Sequence, residues 1–355
     1  MRAQARYRRF GAPGKALAGG VMAAVACAAA HASVAVLLEQ PYGKLGKFDP
    51  AGHSAIYLDH VCAASPIELR PCREGELGVV ISRYDGIGTY DWVAMPLMAY
   101  LYAVDSADEI PETMDKPSEV LLRDKYRRAH LETVAPDLAD GSAPGGNWYE
   151  LAGAAYDRTI YGFSVKSTAE QDAKLIADFN DHKNVERYNG LFNNCADFSR
   201  VTINKFYPHA VRRNFVADLW MTSPKAVARG LGHYGAKHPE AGLQVFLIPQ
   251  VKGTLPRSHP AEDFAEGVLK RYSVPLVVLS PEATAAVFIA YVGHGRFSMP
   301  KDAKVLDLRE GAVAASEEKP GLAATKAAGT SASASPGAQT GLRTASMVVT
   351  SEKLY

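Results

Sequence analysis

The sequence predicts an α+β fold, and three observations carry that expectation. Strand-like segments rich in β-branched and apolar residues gather early in the chain, at residues 54–58 and 77–84. A third such segment, residues 159–165, follows only after a long insertion. Two helical patterns with capping signals then come in succession, one from a cap at residue 167 or 168 to an end near 181–184 and one around residues 195–206, rather than alternating with strands as βαβ units require.

Ahead of these elements, residues 1–32 read as an export signal. Arg2, Arg6, Arg8, Arg9 and Lys15 make a positive start, residues 16–30 carry no charge, and Ala30-His31-Ala32 has the small-x-small form of a cleavage site. The apolar run is too short and too rich in Ala and Gly to span a bilayer. A lipoprotein cysteine at Cys27 is the alternative, although Ala24 replaces the leucine such a signal prefers. The expected destination is periplasmic or secreted. Removing five cations and no acid takes the formal charge from +1 to −4, and there is no basic cluster, so nucleic-acid binding is not expected.

Residues 33–310 have the composition of a globular domain. Gly86, Gly88 and Asp91-Trp92 interrupt the pattern after the second strand, and residues 98–104 fit a strand or a short buried helix. Residues 111–131 mix charge with spaced apolar positions (Val120, Leu121, Tyr126, Leu131) and read as helical, whereas the Pro- and Gly-rich residues 135–147 read as a surface loop. Beyond the third strand, Ser167/Glu170 or Thr168/Gln171 forms a capping box, and Ala173, Ile176, Ala177 and Asn180 share one face of the helix it opens. Asn193 or Asn194 caps the next helix, which begins at Cys195, places Phe198, Val201, Thr202 and Phe206 at helical spacing, and stops before Pro208. Residues 272–291 are apolar but broken by Pro275, Pro281 and Glu282, which suits a core better than a bilayer, and no transmembrane span is expected after the signal. Residues 311–355, mostly Ala, Ser, Thr, Gly and Lys, read as a disordered tail.

The chain has four cysteines. In an oxidising compartment Cys62 and Cys72, ten positions apart around a Pro-containing segment, are the natural disulfide pair. With Cys27 in the signal, Cys195 is left over: either a small buried hydrophobe or a nucleophile whose thiolate the N–H groups and dipole of a helix start would favour. A nucleophilic thiol needs a base, and His53, just after Gly52 at the mouth of a strand, is the best-placed histidine, although a strand-end histidine can equally be structural. Asp197 would oppose ionisation of the thiol if it points inward. Tyr57, Trp92, Tyr188 and Phe192 are the aromatic residues available to line a site. No metal-ligand spacing is present, and no cofactor is called for.

Together, Gly52-His53-Ser54-Ala55-Ile56-Tyr57-Leu58 and the later Asn193-Asn194-Cys195-Ala196-Asp197-Phe198 resemble the circularly permuted papain-like clan, in which the histidine strand precedes the cysteine helix. That clan includes the lecithin:retinol acyltransferase type and permuted relatives of the NlpC cell-wall peptidases. The flanking words Ile81-Ser82-Arg83-Tyr84 and Trp148-Tyr149-Glu150-Leu151 also look like an uncharacterised bacterial envelope family related to it. The resemblance implies an antiparallel sheet packed on the cysteine-bearing helix, Cys195 as nucleophile, His53 as general base and then acid, and a thioester acyl-enzyme. It implies a cell-wall peptide or an acyl ester as substrate, with a catalytically silent binding module as the contrasting possibility. The third polar residue is left among Glu68, Glu76 and Ser82.

Overall fold

The computed structural model describes residues 32–43, 51–185, 187–213, 221–293 and 297–309. The segment expected to be an export signal, except Ala32, and the expected tail lie outside the described residues. The chain is α+β, built on one mostly antiparallel sheet.

Among the described residues, seven strands make that sheet: β1 (Ser33–Glu39), β2 (His53–Leu58), β5 (Val79–Ser82), β6 (Val93–Pro96), β8 (Ile160–Lys166), β9 (Gln244–Ile248) and β11 (Lys304–Val305). Their order is β11-β9-β8-β1-β2-β5-β6, antiparallel throughout except where β11 runs parallel to β9. β3 (Val61–Ser65) and β4 (Glu68–Pro71) form a separate hairpin. The Cys62–Cys72 disulfide ties it, which fits a protein of an oxidising compartment. β7 (Thr113–Met114) and β10 (Lys252–Gly253) make a short parallel pair.

The central strand, β1, is among those the sequence did not announce. Its run Val34-Ala35-Val36-Leu37-Leu38 is fully buried on both faces, so it shows no alternation to betray a strand. The period of two then sorts every neighbour. Ala35, Leu37, Ala55, Val80, Val93, Met95, Ile160 and Phe246 belong to one core; Val36, Leu38, Ile56, Leu58, Ile81, Ala94 and Phe163 belong to the other.

The first face is covered by α1 (Leu97–Tyr102) and α3 (Ala154–Asp157), with α2 (Lys116–His130) outside them. Residues 98–102 are thus part of a buried helix, ended by Ala103 in the left-handed region. Asp115 caps α2, with Pro117 in its first turn. This helix buries Arg123 and Arg127, leaving Val120 and Leu121 exposed. The two guanidiniums are satisfied by carboxylates and carbonyls: Arg123 by Glu119, Asp157 and the Ala152 and Gly153 oxygens, Arg127 by Asp124, Asp137 and the Ala135 oxygen.

The second face is covered by α4 (Ala169–Asp181), α5 (Cys195–Phe206) and α6 (Pro224–Lys237). α4 opens with the Thr168/Gln171 capping box, but the face it buries is Asp172, Leu175 and Phe179, one position out of phase with the expected stripe. Leu175 and Phe179 carry more apolar surface than Ala173 or Ala177, and burying the larger side chains wins. α5 starts at Cys195 under an Asn194 cap and ends at Phe206.

Finally, α7 (Phe264–Leu279) and α8 (Pro281–Gly293) form a helical hairpin. The expectation that residues 272–291 are core is corrected here: Val274, Val278, Leu279 and Ile289 are among the most exposed large apolar residues described. Pro281, capped from Ser280, starts a second helix that folds back on the first, so the segment packs mainly on itself. No helix among the described residues is long and apolar enough to cross a membrane.

Candidate active site

The site is built where β1 ends and β2 begins. Glu39 and His53 are the last register pair between these strands. The chain enters β2 through Gly52 at φ +77°, where an added Cβ would sit 2.1 Å from the Glu39 carbonyl oxygen, so only glycine fits. The register puts the His53 side chain on the same face as Glu39, Ala55 and Tyr84. There the imidazole stacks on the Tyr84 ring, with centroids 4.1 Å apart and planes 6° from parallel.

A buried polar cluster surrounds this pair. Tyr100 donates its hydroxyl proton to the Glu39 carboxyl, and the Tyr84 hydroxyl lies 3.4 Å from that of Tyr100 and donates to the Glu150 carbonyl at 3.1 Å. Arg158 reaches Glu39 at 3.7 Å, pairs with the Glu150 carboxylate and covers the Tyr42 ring. Burial pushes the Glu39 carboxyl up to about 7, with Arg158 and the Tyr100 hydrogen bond pulling the other way. Burial, and then Arg158, holds the His53 imidazole well below its ordinary range. Glu39 Oε2 and His53 Nε2 are both buried without a hydrogen-bond partner among the described residues.

Cys195 comes from the other side of the sheet. Asn194 caps α5 by accepting from the Asp197 N–H at 2.9 Å, and its amide donates to the Gly190 and Thr222 carbonyls. Cys195 is the first helical residue, almost buried and outside any disulfide. Asp197 does point inward, where it accepts from Thr222, pairs with Arg213 and lies 3.5 Å from Arg200, so guanidinium charge faces it. α5 is pinned to β2 by a hydrogen bond between Ser54 and Ser199. Because Ser54 and His53 are successive strand residues, α5 packs on the face opposite the imidazole.

His53 and Cys195 nonetheless border one cavity. It has a volume of about 680 Å³, wraps the end of the sheet, and is also lined by Tyr84, Arg158, Glu150 and Asn194. Residues of α7, including Arg271 and Tyr272, complete its wall.

The three candidates for the third polar residue fall elsewhere. Glu68 is exposed on the β3–β4 hairpin, and Glu76 is held by both terminal nitrogens of the Arg70 guanidinium and by the Arg73 N–H. Ser82 is buried on β5 opposite Ala55, on the His53 face but one register step inward. The carboxyl on the strand beside His53 is Glu39. A lone acid closing a run of apolar residues and followed by Gln40-Pro41 is the sequence signal that would have found it. Glu150 lies in the Trp148-Tyr149-Glu150-Leu151 word already singled out, whereas Arg158 carries no comparable signal. Of the aromatic candidates, Tyr188 lines the cavity, Trp92 packs on Phe179, Tyr57 donates to the Leu77 carbonyl and Phe192 is exposed.

Among the described residues the one trio near enough to share a metal ion is Cys62, Cys72 and Glu76, and its sulfurs are consumed in the disulfide. Compared with family models, with curated proteins and with solved structures, the chain has no match.

Proposed function

We propose that the protein is an exported cysteine-dependent hydrolase with a permuted papain-like domain, cleaving an amide or ester through a thioester at Cys195. The observation that carries this reading is the single cavity bordered by Cys195, at a capped helix start, and by His53, at a strand mouth. In this mechanism the neutral imidazole takes the thiol proton as sulfur attacks the substrate carbonyl carbon. The resulting oxyanion is held by backbone N–H at the start of α5. The carbonyl re-forms as the amine or alcohol departs with the proton from His53, leaving the acyl thioester. Water, deprotonated by the same imidazole, then releases the acid and restores the thiol. The lowered His53 pKa keeps the base form present at and below neutral pH. Cell-wall peptide is the substrate class we favour, by analogy with the resembling enzymes; acyl transfer to or from a lipid is the enzymatic alternative.

A second reading, a binding module that uses the same cavity without turnover, is favoured by one observation. His53 is stacked on Tyr84 on the face of the sheet that α5 does not cover.

The deciding experiment is the pH profile of iodoacetamide labelling at Cys195 in the native protein and in His53→Ala. Labelling that persists below pH 6.5 and slows at least tenfold in His53→Ala, about 1.4 kcal/mol of barrier, supports the hydrolase. A thiol that labels only on unfolding, or at the same rate in both proteins, supports the binding module. Cell-wall peptides and acyl esters are then screened against Cys195→Ala as the inactive control.

A further inference from the structure

The α7–α8 hairpin presents apolar surface that no function of the cavity requires. On α7, Tyr272, Val274, Val277, Val278 and Leu279 are all exposed, and at 100° per residue they fan around most of the helix. On α8, Phe288, Ile289 and Val292 are exposed as well, and apolar residues surround the helix instead of forming one stripe. Among these eight residues exposure runs from 47% at Val292 to 82% at Leu279. Scattered apolar residues on a surface need no explanation, but a contiguous set does.

Geometry separates the occupants. From Tyr272 to Leu279 the hairpin rises about 11 Å, and two helices side by side are about 20 Å wide, so each flank offers only a few hundred Å². A stable protein interface buries roughly 800 Å² per partner. A second copy lying against one flank would therefore cover too little and leave the other side wet. A medium that surrounds the rod covers all of it, and about 11 Å fits within one leaflet of a hydrocarbon core roughly 30 Å thick. The ends agree. Tyr272 and Tyr291 both stand at the base of the hairpin, with Lys270 and Arg271 just before Tyr272, the arrangement that lies at the level of lipid headgroups. Glu282, in the first turn of α8, is the one charged residue from 272 to 291 and limits how deep the tip goes.

We propose that the α7–α8 hairpin docks the protein on a phospholipid bilayer by inserting Val274, Val277, Val278 and Leu279 and the facing turns of α8 into one leaflet. It is a monotopic contact that spans nothing. Because Arg271 and Tyr272 also line the cavity, docking sets the cavity mouth at the lipid surface.

The test is flotation with vesicles of phosphatidylethanolamine and phosphatidylglycerol at 3:1. The protein is expected to float with lipid. The double variant Val278→Glu/Leu279→Glu is expected to lose at least tenfold in partitioning at an unchanged melting temperature, because both side chains are strongly exposed. Glu282→Gln is expected to gain severalfold, and Leu121→Glu, exposed on α2, to change nothing. Cys195→Ala is expected to float normally, which keeps this result independent of the proposed chemistry. Wild-type protein that stays with the lipid-free fraction overturns the proposal, as does a double variant that floats equally well. A dimer that the double variant dissociates, without flotation of the wild type, assigns the surface to a second copy and overturns it too.

Discussion

Replacing Glu39 by glutamine gives a direct measure of how unfavourable the buried charge beside His53 is. Its carboxyl is fully buried and rises from an ordinary 4.5 to about 7 in the folded chain. At 1.36 kcal/mol per unit, that difference amounts to about 3 kcal/mol of pH-dependent stability. The folded-state value is the higher one, so the contribution is complete below 4.5 and is lost as pH rises through 7. Glutamine keeps the shape and the hydrogen-bond acceptor for Tyr100 but does not titrate. The stability of Glu39→Gln relative to wild type should therefore climb by about 3 kcal/mol between pH 4.5 and pH 8. The lost attraction to Arg158 lowers the variant but does not create this slope. His53 contributes the opposite slope, because its folded pKa is lowered and the unfolded chain takes the proton first as pH falls below 6.5. Both proteins carry His53, so that slope largely cancels in the difference. Urea unfolding at pH 4.5, 6 and 8 reads the quantity directly. A stability difference that stays flat across this range would refute the assignment of Glu39 as a buried, desolvated acid.

Two further outcomes test the frame that holds the site. Gly52→Ala should cost more than about 2 kcal/mol in unfolding experiments, because a Cβ there meets the Glu39 carbonyl oxygen and φ is positive; a change under about 0.5 kcal/mol would show that the entry to β2 is not the tight turn described. Reducing Cys62–Cys72, which closes a loop over a separation of ten residues, should lower stability by about 3 kcal/mol and the melting temperature by several degrees, checked by calorimetry with and without reductant.

Local codes in the sequence determined much of this architecture. The Thr168/Gln171 box and the Asn194 cap start α4 and α5 where short-range hydrogen bonding says they must. Short apolar runs mark β2, β5 and β8, and cysteine arithmetic pairs Cys62 with Cys72. These signals need only a few neighbouring residues, so they survive without a partner structure. The sequence also selected His53 and Cys195, and the structure lines one cavity with both.

What only the tertiary structure decided are the relations that depend on parity and on distant pairing. β1 has no alternation because both its faces are buried, so its place at the centre of the sheet was invisible until β2 and β8 closed on it. The face that His53 occupies follows from strand register, where one residue separates the α5 side from the Glu39 side. Glu39, Tyr84, Tyr100, Glu150 and Arg158 become one cluster only through distant pairings, Tyr100 with Glu39, Tyr84 with Glu150 and Arg158 with Glu39. The apolar segment 272–291 reads the same in sequence whether it fills a core or faces outward; folding back on itself left it exposed, because hydrophobicity is local while burial depends on what else the fold brings near.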